Sequence, residues 1–128
     1  MDKIVHFEIP VKNADKASKF YNKTFGWQIN KVGDVSGNSY FLSKTVKTDD
    51  KGMPLEPGAI NGALMVDKNI NSTILVIKVS SIEDYLKKIK NAGGKIVMDK
   101  VNVGNMGLYA RFTDTEGNLL ALWQDIIS

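Results

Sequence analysis

Each half of this 128-residue chain reads as a strand, a helix and three more strands, and placing Val11 on Val79 brings the opening strands and helices into register. Ile4 to Val11 alternates, with Val5, Phe7, Ile9 and Val11 on one face and His6 and Glu8 on the other. Asn13 is placed to cap an amphipathic helix whose apolar positions Ala17, Phe20, Tyr21 and Phe25 fall at helical spacing, with lysines outward and Gly26 as the stop. Strands are expected at Trp27 to Val32, Ser39 to Ser43 and Ala59 to Val66. The second half opens on Thr73 to Val79. Ser80 and Glu83 then have the capping-box form, and Ile82, Tyr85, Leu86 and Ile89 mark the helix stripe. Strands at Lys95 to Val103, Leu108 to Thr113 and Leu119 to Gln124 complete it.

A strand, helix and strand at this spacing make a crossover unit, one sheet face covered by the helix and the other open. Two such units imply an α+β fold, one domain over residues 1–128, with module one at 1–67 and module two at 72–128. Two pairing open faces would enclose a cavity.

Several function classes are excluded by what the chain lacks. The formal charge is only +3, and 16 of the 17 basic residues are lysines scattered along the sequence, with Arg111 the one arginine. A reader of nucleic acid would show clustered basic residues with arginine forks, so no nucleic-acid partner is expected. The absence of cysteine removes disulfides, thiolate metal sites and cysteine nucleophiles. No run approaches a membrane span, and Met1 to Pro10 lacks a signal peptide's apolar centre, so no membrane partner and a soluble, cytoplasmic protein are expected. No phosphate-cradling glycine loop occurs, and with His6 the only histidine, Ser80 and Ser81 have no triad partner beside them in the sequence.

His6-Phe7-Glu8-Ile9-Pro10-Val11, Phe20-Tyr21, Phe25-Gly26-Trp27, Ala92-Gly93-Gly94-Lys95 and Asp114-Thr115-Glu116-Gly117-Asn118, in this order, resemble the vicinal oxygen chelate superfamily. This is the glyoxalase, bleomycin-resistance and extradiol-dioxygenase group. Ala59-Ile60-Asn61-Gly62-Ala63-Leu64-Met65 and Leu122-Trp123-Gln124 are similar to its glyoxalase-like members. The resemblance covers essentially the whole chain and implies paired βαβββ modules in a U-shaped, partly closed sheet around a ligand site. It also implies a homodimer. It does not choose among lyases, isomerases, dioxygenases, thiol transferases and non-catalytic drug sequestrants.

Metal-dependent members hold a divalent ion with side chains from each module's first and last strands. The resemblance puts those positions at His6, Ile74, Ala121 and Gly62 or Ala63, so three of four lack a donor. Neither a methyl nor a sec-butyl group has a lone pair, and one imidazole rarely holds a transition ion alone. No metal ligand and no cofactor are therefore expected, the alternative being a rearranged divalent site that recruits Glu8.

His6 and Glu8 are the candidate acid–base pair, whereas a plain reading makes His6 a satisfied core residue. A carboxylate would raise the histidine's pKa and burial would lower it. From the repeat, Ile74, Val76 and Lys78 face away from the helix, as do Leu119, Ala121 and Trp123 in the last strand. Lys78 is a candidate for an anionic ligand or simply a strand-end lysine reaching water. Trp123 is a stacking surface, with Trp27, Tyr40, Tyr109 and Arg111 at the rim, or else packing. Expected ligand contacts are thus His6, Glu8, Ile74, Val76, Lys78, Ala121 and Trp123. Two functions follow: a binding protein for a small organic molecule in a mainly apolar cavity, or an enzyme, lyase or dioxygenase-like, using His6 and Glu8 or an atypical metal site.

Overall fold

The computed structural model describes residues 1–35 and 37–126. Its elements are β1 (Ile4–Val11), α1 (Ala14–Phe25), β2 (Gln28–Val35), β3 (Asn38–Lys44), β4 (Gly62–Val66), β5 (Ile74–Lys78), α2 (Ile82–Asn91), β6 (Lys95–Val103), β7 (Gly107–Thr113) and β8 (Leu119–Asp125). The fold is α+β with the βαβββ order twice, as the repeat predicts. Residues 6–73 form one compact unit; residues 1–5 and 74–128 form the other. No helix among the described residues is long and apolar enough to cross a membrane.

In the first unit the strands lie in the order β2-β3-β4-β1. β1 runs parallel to β4, with Glu8 opposite Ala63 and Pro10 opposite Met65, and β3 returns antiparallel with Tyr40 opposite Met65. α1 starts where Asn13 accepts from the Lys16 amide at 3.0 Å, and it ends at Gly26, whose φ of 77° suits a residue without a Cβ. None of α1's residues is buried, and Phe20 and Phe25 remain 56% and 62% exposed. They join an aromatic cluster instead: Tyr21 stacks on Trp27 at 4.8 Å, Trp27 packs on Phe7 at 5.6 Å, and Phe20 and Phe25 stand at its edge.

The second unit has the order β5-β8-β7-β6, parallel between β5 and β8 and antiparallel elsewhere. Here the helix is seated: Ile82 and Leu86 pack with Val79, Ala110, Phe112 and Leu122. At roughly 1.5–3 kcal/mol per buried aliphatic side chain, Ile82 and Leu86 alone contribute several kcal/mol. The cap is Ser81, not Ser80; its hydroxyl accepts from the Asp84 amide at 3.2 Å. Gln124 accepts from the Ile82 amide at 2.8 Å, so a side chain from β8 also satisfies the helix start. Residues 1–5 are tied into this unit by Lys78 N–H donating to Lys3 O and the Tyr85 hydroxyl donating to Asp2.

Candidate functional site

Alternation puts His6, Glu8, Ala63 and Tyr40 on one face of the first unit's sheet. The registers Glu8–Ala63 and Met65–Tyr40 then fix Tyr40 two strands from Glu8 and one row along. A phenol is long enough to cross β4 there, and Ala63 presents only a methyl. Tyr40 donates to Glu8 Oε2 at 2.8 Å, and its oxygen lies 2.7 Å from His6 Nε2, the rings nearly parallel at 11°. Glu8 is 1% exposed and Tyr40 is buried, so this chain of hydrogen bonds lies inside the unit, with His6 part-buried at its end. His6 and Glu8 are thus brought together through Tyr40. Tyr40 and Leu42 alternate with Phe41, which was the sequence sign of its facing; its partner 32 residues away was not legible.

Burial pushes the His6 imidazole down from 6.5 to about 4. The competition left open by the sequence is therefore won by desolvation, the carboxylate reaching His6 only through the phenol. Because the folded pKa lies below the unfolded one, this histidine contributes fully above pH 6.5, and stability falls as pH drops from there toward about 4. Urea unfolding is expected to show about 2 kcal/mol less stability at pH 5 than at pH 8 from this group. His6→Gln, which retains an N–H donor for Tyr40 without titrating, should lose that increment. A variant with the wild-type pH slope would show that the loss arises elsewhere.

In the second unit the pairings Val76–Ala121–Arg111–Met98 and Lys78–Trp123–Tyr109–Val101 run across the face opposite α2. Ile74, Val76 and Ala121 are buried on it. Tyr109 and Arg111 are buried too, not at a rim, and Arg111 Nε donates to the Tyr109 hydroxyl at 2.8 Å. Lys78 is paired with Asp125, which also accepts from the Trp123 indole at 2.7 Å; the lysine first and the indole second hold the Asp125 carboxyl below the usual range. Other recurring strings are structural. Asp114 accepts from the Glu116 and Asn118 amides to close the turn before β8, and Asn61 accepts from the Thr45 and Val46 amides.

The implied metal positions fall in neighbouring pairs within each unit, His6 near Ala63 and Ile74 near Ala121. Among the described residues no three His, Cys, Asp or Glu side chains converge. Of the implied positions only His6 carries a donor, since Ala63, Ile74 and Ala121 have none, so this set does not fit a divalent ion.

Residues 3–122 match the sequence pattern of the Glyoxalase/Bleomycin resistance protein/Dioxygenase superfamily. A glyoxylase-like domain-containing protein of Didymella fabae is 25% identical over 118 residues, covering 90% of this chain and 88% of that protein. Solved structures with the same fold include a hypothetical protein from Bacillus halodurans, with TM-score 0.72 and 15% identity over 99% of this chain and 96% of that one. Methylmalonyl-CoA epimerase from Mycobacterium tuberculosis gives TM-score 0.69 and 17% identity over 97% and 88%. With the βαβββ order present twice and the sequence pattern running through both copies, the chain belongs to the glyoxalase/bleomycin resistance protein/dioxygenase superfamily.

Proposed function

We propose that this chain binds a small organic molecule against the mainly apolar sheet faces turned away from its helices, with the superfamily's usual metal site largely lost and no cofactor. The observation that carries this reading is the donor set. Ile74, Ala121 and Ala63 offer no lone pair, which leaves His6 as the one donor among the four positions. On the first unit's face the polar contact is His6, backed by Glu8. On the second unit's face Trp123 and Lys78 are the contacts, above a floor of Ile74, Val76 and Ala121. The competing reading, a lyase or dioxygenase-like enzyme using His6 and Glu8, asks an imidazole with a pKa of about 4 to take protons at neutral pH. Such a base lies far below the range in which general-base catalysis is efficient.

Protein made without a polyhistidine tag and dialysed against zinc and manganese should retain no stoichiometric metal by elemental analysis; metal that disappears in His6→Ala would contradict the reading. The aromatic anion 8-anilinonaphthalene-1-sulfonate should bind saturably, and Trp123→Ala should weaken it by about 1 kcal/mol, roughly fivefold. Unchanged affinity would remove Trp123 from the site, and turnover of a bound ligand would replace sequestration with catalysis. A twofold dimer belongs to the same proposal, and light scattering that gives the 14.1 kDa of a single chain at micromolar concentration would refute it.

A further inference from the structure

His6 makes one hydrogen bond among the described residues, from Nε2 to the Tyr40 oxygen. A phenol has a single proton, and Tyr40 donates it to Glu8 Oε2. The Tyr40 oxygen therefore faces His6 with a lone pair, and the hydrogen in the 2.7 Å contact must come from Nε2. A neutral imidazole carries one N–H, so Nδ1 is left with a bare lone pair. Among the described residues the fully buried side-chain atoms without a partner are Ser43 Oγ and Asn61 Nδ2; Nδ1 is not one of them, so it is not sealed inside the unit.

We propose that Glu8 and Tyr40 lock His6 in the Nε2–H tautomer, making Nδ1 an obligate acceptor, so that the site selects ligands bearing an O–H or N–H donor over ethers and other acceptor-only molecules. This rests on the ligand-binding reading above and adds its chemical class. The selection is strong because a donor-less analogue sets one lone pair against another and leaves Nδ1 desolvated without a partner, a loss on the scale of about tenfold or more in affinity.

His6 is the only histidine, so ¹⁵N-histidine labelling gives one pair of ring nitrogens. In free protein at about pH 7.5, the scale on which an unperturbed imidazole is already mostly neutral, Nε2 should show the protonated shift and Nδ1 the unprotonated one. Titration with phenol should move Nδ1, and phenol should bind about tenfold more tightly than anisole. In Tyr40→Phe the two tautomers should mix and the phenol preference should fall away. The wild-type spectrum decides the matter even if that variant does not fold. A proton on Nδ1 in the free protein overturns the proposal outright. Equal affinity for phenol and anisole overturns the selection while leaving the ligand-binding reading standing, and binding of neither overturns both.

Discussion

Gly107→Ala is expected to destabilise the protein by about 3 kcal/mol and to shift its tryptophan emission, because a Cβ at this position would enter the space of the Trp123 ring. Gly107 pairs with Asp125 across β7 and β8, and the indole of Trp123 lies over it, held by its N–H to Asp125. An alanine methyl would also stand 2.5 Å from the Gln124 carbonyl oxygen, which is backbone and cannot swing aside. The ring must leave, or the strands must part. Either movement reaches α2, since Gln124 also satisfies the Ile82 amide at the helix start. Chemical denaturation and emission spectra check this. Stability within about 1 kcal/mol of wild type and unchanged emission would mean that the indole is not seated on this glycine.

Glu8→Ala is expected to cost about 3 kcal/mol or more. The change empties the space of a carboxylate in a residue only 1% exposed and removes its hydrogen bond from the Tyr40 hydroxyl. Losing a buried hydrogen bond to a carboxylate costs about 1.5–3 kcal/mol, and the cavity adds to it. Glu8→Gln retains the volume and an acceptor oxygen, and it should cost roughly 1 kcal/mol. The separation between the two variants in denaturation midpoint is the informative quantity. If they unfold alike, with Glu8→Ala as mild as Glu8→Gln, the hydrogen-bond chain contributes little to holding β1 and β3 together.

Much of the architecture was legible because it rests on local rules. Asn13 and Gly26 bound α1 as their chemistry requires, and alternation placed His6 with Glu8 and Ala121 with Trp123 on the correct faces. What escaped depended on registers between distant segments. The capping-box pattern points to Ser80, with Glu83 three residues on, but the cap is Ser81, whose hydroxyl meets the Asp84 amide while Gln124 satisfies the amide of Ile82. Tyr40 belongs to the candidate site only because β4 lies between β3 and β1. Arg111 and Tyr109 were read as rim residues, yet both are buried, with Arg111 Nε donating to the Tyr109 hydroxyl. The helix stripes were read alike in both halves, but spacing says which side chains share a face and not how well the sheet beneath covers them.

That difference between the helices bears on how a doubled fold can diverge. In α2 a change at Ile82 or Leu86 opens a void in a close-packed cluster, so that copy of the helix is held to its present sequence by stability alone. In α1 no side chain is buried, and a change at Phe20 or Phe25 falls on a partly solvated surface. Of the two helices, α2 is the one its packing holds fixed. α1 is the one whose surface can change before the fold resists.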